Sequence, residues 1–377
     1  MIIYICLLIG ALLLFLFRNN YVIYHNAIIK NIIFYVSVAI LFFLYIFRSI
    51  FVGTDYKMYY GFYSGAFVNL QSRFVEKGYI LLNTIAQNNN NFLIIPIFVF
   101  IISFLGIYLL SKSFNINKLT FLVFFLLTYM YLFLFNALRQ FIAFGIICIG
   151  FYFFFMINNI NFLKFFKYIF IISIIFCATF FHASSIFCLL FLIFGKLSYN
   201  YKTVVISGIL TTFMYFTGIA KYFFSELLIN SPRYSQKYMN ELSSNGIAGY
   251  NKGIVQFLPV IVQFVFLYLF FRFNKNKKYN YKDKFILSGY LLYLIMFSAS
   301  NSDVGIRLQA FLYVFPLFFS AMFVDKMGSV NIKNNNNRIL DNSNILILKC
   351  LFLSFWICYY IIRLISNNSG IVPYSLF

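Results

Sequence analysis

Apolar runs approaching 20 residues recur from one end of the sequence to the other, 119–138 and 253–271 among them, and this repetition sets the fold class. A bilayer core of about 30 Å is crossed by roughly 20 residues of helix, so runs of this length suit a membrane span. Twelve spans are expected, at 2–17, 32–51, 92–110, 119–138, 141–157, 165–181, 183–194, 203–224, 253–271, 285–298, 306–324 and 345–365. Composition agrees with that reading. Of 377 residues 63% are hydrophobic and 10% charged, against about a quarter charged in soluble domains, and the mean hydropathy is +0.88. The runs are too long for barrel strands and do not alternate. The expected fold is therefore all-α: a polytopic integral membrane protein of about 12 transmembrane helices, with 1–377 forming a single transmembrane domain. The first run has neither a basic leader nor an A-x-A cleavage site and is read as a retained span.

The net charge of +21 invites a nucleic-acid reading, but the Lys and Arg residues are spread through short loops and form no basic patch. They serve better as topology signals. If the loop with Arg18 and Lys30 is cytoplasmic, every second loop is basic: Lys112 and Lys118, Lys164 and Lys167, Lys196 and Lys202, the loop 272–284 and the loop 325–344. This orientation places both termini and two longer segments, 53–91 and 225–252, outside. Five of the eight acidic residues, Asp55, Glu76, Glu226, Glu241 and Asp303, then fall on the outer side. The six cysteines all lie within apolar runs without C-x-x-C spacing, so neither a disulfide framework nor a metal site is expected. The Asn-rich tracts 88–91 and 334–337 read as loops.

Polar residues at span boundaries are the candidates for chemistry. If Gly53-Thr-Asp-Tyr-Lys-Met-Tyr-Tyr-Gly-Phe-Tyr is helical, Asp55, Tyr59 and Tyr63 share a face. A carboxylate beside aromatic faces suits a sugar, and an interfacial aromatic belt is the alternative. Arg139, in Asn136-Ala-Leu-Arg-Gln-Phe-Ile-Ala, must sit at or just inside a membrane boundary. An ionised residue deep in a span costs about 2.5 to 3.5 kcal/mol, which marks it as functional unless it snorkels to headgroups. His182, in Phe180-Phe-His-Ala-Ser-Ser, has no charged sequence neighbour; it is either a proton acceptor or a satisfied core residue. Asp303 and Arg307 are four apart, which fits a helix-start ion pair or an anion-facing arginine oriented by the carboxylate.

No phosphate-binding glycine loop, dinucleotide fingerprint, H-E-x-x-H or D-x-D pair is present, so a metal- and nucleotide-independent reaction on a substrate that arrives activated is expected. Arginine suits bidentate contact with a diphosphate. A lipid-linked diphosphate sugar fits.

The order Gly-Thr-Asp-x-x-x-Tyr at 53–59, Glu-Lys-Gly-Tyr at 76–79, Asn-Ala-Leu-Arg-Gln-x-x-Ala at 136–143, Phe-His-Ala-Ser at 181–184, Arg233-Tyr234 and a late Arg307 resembles the EpsG branch of the Wzy-type polysaccharide polymerases. The Arg139-Gln140 pair followed by His182 is its most specific part. The resemblance implies a bacterial inner-membrane O-antigen or exopolysaccharide polymerase with a GT-C-like helix arrangement. It would join repeat units carried on undecaprenyl diphosphate at the periplasmic face, with a chain-length regulator protein as a candidate partner. The polar pattern of the family falls on Arg139, His182 and Arg307. The base is left among His182, Asp303 and Asp55, and substrate contacts fall to Arg139, Gln140, Arg307, Glu76, Tyr59, Tyr63 and Arg233. After Val324 the sequence matches little of the family pattern, so the last span carries no expected role. Two other readings stay open: a lipid-linked oligosaccharide flippase or secondary transporter, although no internal repeat is evident, and a glycan ligase.

Overall fold

A computed structural model describes residues 1–19, 26–66, 75–157, 161–220, 222–223, 254–274, 278–300, 303–327, 338–367 and 369–376. Two compact units divide the chain: 1–189 with 353–377, and 190–352. The first contains α1 (Ile2–Asn19), α2 (Ala27–Ile46), α3 (Tyr56–Tyr63), α4 (Lys77–Asn88), α5 (Ile94–Ser113), α6 (Lys118–Leu127), α7 (Met130–Phe133), α8 (Leu138–Met156) and α9 (Asn161–Thr179), followed by a 3-10 segment, Ala183–Leu190. The second holds α10 (Phe191–Phe194), α11 (Tyr201–Thr217), α12 (Ile254–Phe273), α13 (Tyr281–Met296), α14 (Asp303–Leu312) and α15 (Val314–Lys326). The last helix, α16 (Arg338–Ser366), starts in the second unit and ends in the first. No strand occurs among the described residues beyond the single bridge between Arg48 and Leu376, and the fold is all-α and polytopic, as expected.

Among the described residues, six stretches are long and apolar enough to cross a membrane: Ala27–Ile46, Ile94–Ser113, Leu138–Met156, Gln256–Phe273, Gly305–Lys326 and Ser343–Ser366. Four shorter apolar helices accompany them. Asparagine sets many of the ends. Asn26, Asn117, Asn200 and Asn280 each cap a helix by accepting a backbone N–H, at 2.8 to 3.1 Å. Asn90 and Asn115 take positive φ just past the ends of α4 and α5, a conformation Asn tolerates better than most residues. The abundance of Asn therefore has a structural use that its tracts alone did not reveal.

Two expected spans are built differently. The run 119–138 is not one helix: α6 stops at Leu127, Tyr129 is left-handed at φ 68°, and the short α7 ends before α8 begins at Leu138. The run 183–194 is mostly 3-10 helix. The run 306–324 does form one membrane-length stretch within Gly305–Lys326, with Tyr313 marking only the junction of α14 and α15 while keeping helical geometry (φ −63°, ψ −17°). Pro96 is the third residue of α5, and Pro259 lies inside α12; neither interrupts its helix.

Each unit encloses one helix that is apolar on every side, as a helix with no lipid-facing surface should be. In the first unit Leu119 through Leu127 of α6 are all buried, and in the second Val314 through Val324 of α15 are. Rings fill the surroundings: Phe104 contacts Phe121 and Phe125 at 5.8 and 5.5 Å, and Tyr290 stacks on Phe319 at 4.1 Å. Helices α5 and α8 meet backbone to backbone. A methyl on Gly106 would stand 2.3 Å from the Gly145 carbonyl oxygen, and Ser103 donates to the Phe141 carbonyl at 3.0 Å. Such small-residue contacts are how helices associate where no water drives them together. They also fix the end of α8 that carries Arg139.

Candidate functional site

Glu76 occupies the N-cap position of α4 in extended conformation (φ −73°, ψ 148°), yet its side chain does not cap its own helix. It reaches across to two other elements of the first unit. Arg139 Nη1, in the first turn of α8, donates to Glu76 Oε2 at 2.5 Å. His182 Nδ1, on the turn after α9, lies 3.5 Å from Glu76 Oε1, and the Ala183 N–H donates to the same oxygen at 3.3 Å. The three side chains are 18% (Arg139), 10% (Glu76) and 12% (His182) exposed, so the cluster is largely shielded from water.

The motif residues explain how these elements come so close. Gly78 N–H donates to the Phe180 carbonyl at 2.9 Å, which satisfies one of the unpaired donors at the start of α4. A Cβ on Gly78 would stand 2.7 Å from that same oxygen, so only glycine allows the approach. Tyr79, the next residue, is buried and contacts the Tyr59 ring at 5.4 Å. Gly53, at φ 108°, lies against Asn136, whose side-chain oxygen would be 2.5 Å from an added Cβ. The Glu-Lys-Gly-Tyr, Gly-Thr-Asp and Asn-Ala-Leu-Arg segments thus form one packed assembly.

Burial alone would push the Glu76 carboxyl up, but the His182 hydrogen bond and the Arg139 charge more than reverse this and hold it at about 2. Glu76 is therefore ionised across the physiological range. Burial raises the Tyr59 and Tyr79 hydroxyls, with the Arg139 charge offsetting part of the effect, so both stay protonated near neutrality. The Tyr79 hydroxyl has no hydrogen-bond partner among the described residues.

Of the residues selected from sequence, Arg139, Glu76, His182 and Tyr59 come together, with Gln140 buried beside Arg139 on α8. Asp55 stands at the N-cap position just before α3, accepts from Thr54 Oγ1 at 3.1 Å and influences Tyr59 electrostatically. Tyr63 lies at the far end of α3 against Phe92, at 5.3 Å. Arg307 is on α14 in the second unit. Asp303 starts that helix, but its side chain falls outside the described residues, as does all of Arg233 and the segment 225–252.

Sequence reasoning missed Arg48. It has no exposed surface, and its guanidinium lies 3.8, 4.1 and 4.6 Å from the ring centres of Tyr56, Tyr45 and Phe135. Such desolvated cation–π contacts are worth about 2 kcal/mol. The signal was available, because Arg48 interrupts an apolar run much as Arg139 does.

The EpsG family model matches residues 31–376, which include every residue of the cluster. The match also covers the chain beyond Val324, so the expectation that this part stands apart from the family is corrected. Its tail is integral to the first unit: Ser369 and Gly370 carbonyls accept from Thr54 N–H at 3.2 Å and Gly53 N–H at 2.9 Å, and Asn136 Nδ2 donates to Ser369 at 2.9 Å. No curated protein and no solved structure matches the chain.

Proposed function

The chain belongs to the EpsG family, and from that premise we propose that it polymerises a polysaccharide by moving the growing glycan from undecaprenyl diphosphate to the terminal hydroxyl of an incoming lipid-linked repeat unit. The observation that carries this reading is the Glu76 carboxylate shared between Arg139 and His182. The anomeric carbon loses its bond to the diphosphate oxygen and gains one to the acceptor oxygen. The acceptor hydroxyl proton passes to His182, whose Nδ1 side faces Glu76, so Nε2 is the nitrogen that receives it. Glu76 orients the ring and stabilises the imidazolium that forms. Arg139 neutralises the departing lipid diphosphate. Tyr59 and Tyr79, both buried, support Arg139 from within the protein with protonated hydroxyls. Arg307, in the other unit, is to be tested by itself. The positive-inside pattern supports a plasma-membrane protein whose cluster opens to the exterior.

Cells lacking the protein should display surface glycan of one repeat unit, whereas complete loss of surface glycan would indicate a flippase or ligase. Purified protein given lipid-diphosphate-linked repeat units from such cells should build polymer in EDTA without nucleotide. Activity that EDTA removes and a divalent ion restores would assign the leaving-group charge to a metal instead.

A further inference from the structure

Arg48 is a fully buried cation for which no carboxylate partner occurs among the described residues. Its charge is met by three ring faces and two carbonyl oxygens. Nη1 donates to the Tyr45 carbonyl and Nη2 to the Phe135 carbonyl at 3.4 Å. These contacts join two segments that matter for the cluster. Tyr56 is the first residue of α3, three before Tyr59, and Phe135 lies four before Arg139 in the irregular stretch between α7 and α8. The Tyr45 hydroxyl also donates to the Leu134 carbonyl, at 3.2 Å. Behind the guanidinium the Arg48 backbone is held by its bridge to Leu376, and the Ser49 N–H donates to the Ser375 carbonyl at 2.8 Å.

We propose that Arg48 is a positioning residue for the reaction: its buried guanidinium clamps the 134–136 turn against α3 and so sets where Arg139 and Tyr59 stand relative to Glu76. The inference rests on the polymerase reading for its functional consequence, but the clamp itself is a matter of geometry. A cation between aromatic faces holds its position without a carboxylate. The planar fork suits two carbonyls at once, which an ammonium does not. A displacement of about 1 Å at a charged contact can cost about 10²-fold in rate.

The test compares Arg48→Gln, Arg48→Lys, Tyr56→Phe and Tyr56→Leu at matched membrane levels. Two measurements are made on full-length protein in detergent: hydrogen exchange by mass spectrometry, and polymerisation of lipid-diphosphate-linked repeat units from cells lacking the protein. Arg48→Gln should speed exchange about tenfold in peptides covering 50–60 and 133–141, leave those of α12 and α15 unchanged, and lower kcat by about tenfold or more with a smaller change in KM. Arg48→Lys should recover part of both effects. Tyr56→Phe keeps the ring and should behave as wild type, whereas Tyr56→Leu should resemble Arg48→Gln and remains informative if that variant fails to insert. Unchanged exchange in the two peptides, a uniform increase over the whole chain, or faster local exchange with full activity would each overturn the proposal. A wild-type protein that makes no polymer would sink the functional reading, leaving the clamp to be judged on exchange alone.

Discussion

A carboxylate that holds an arginine with one oxygen and a histidine with the other constrains both side chains, and the consequences can be measured at single residues. The guanidinium of Arg139 has five N–H donors in a plane; one nitrogen takes Glu76, and the same fork can meet a second anion. Lysine keeps the ion pair but cannot hold two anions in that geometry. Arg139→Lys should therefore insert normally yet polymerise at least tenfold more slowly, and wild-type glycan lengths at matched protein levels would reduce Arg139 to a structural ion pair. The pH profile separates the other two members. The Glu76 carboxyl is held at about 2, so it cannot produce a loss of activity on the acid side of neutrality. Such an acid limb should persist in Glu76→Asp and disappear, with turnover down about 10²-fold, in His182→Ala. Linkage gives the matching stability statement. A carboxyl lowered in the folded state contributes stability that is complete above its unfolded pKa of about 4.5 and is lost as the pH falls through about 2.

Among the elements, the chain after α16 contributes more than its length suggests. Ser369, Gly370 and Ser375 accept backbone N–H groups from Thr54, Gly53 and Ser49; Ser369 also accepts Asn136 Nδ2, Ile371 accepts the Tyr4 hydroxyl, and the Tyr374 hydroxyl donates to Leu44 at 2.6 Å. At roughly 0.5–1.5 kcal/mol net for each bond, the six together anchor the tail with about 3–9 kcal/mol, of which the three to Gly53, Thr54 and Asn136 supply about half. Ending the chain after Asn367 leaves α16 complete, so the protein should still insert. Its polymer output should fall at least tenfold and its unfolding temperature in detergent by several degrees. Normal glycan length from the shortened chain would show that these bonds do not support the cluster.

For the whole molecule, lipid exposure and burial divide the helices: the Ala27–Ile46 stretch is 11% buried and Gly305–Lys326 is 89% buried. A chain with this much apolar surface requires a bilayer, and the loop charges predict which way it sits. Reporter fusions at Lys278 and Asn335 should score cytoplasmic, and those at Asn89 and Asn245 external. A reversed pattern would put the Glu76 cluster on the wrong face for a lipid-linked substrate made available outside.

The sequence by itself determined the class of fold, because bilayer thickness imposes a run length that is visible locally wherever a span occurs. Family membership was legible too, since Gly53, Gly78, Asn136 and Arg139 stand in short motifs that need no distant partner to be noticed. The break at Tyr129 was hidden inside a continuous apolar run, and hydropathy does not register a left-handed residue. Tertiary structure alone decided that Glu76 would meet Arg139, 63 residues away, and the Ala183 N–H, 107 residues away. It also decided that Arg48 would be enclosed by rings from three segments. Pairings at such separations are set by which helix faces pack together, here through glycines too small to keep the backbones apart, and no local pattern of residues encodes that choice.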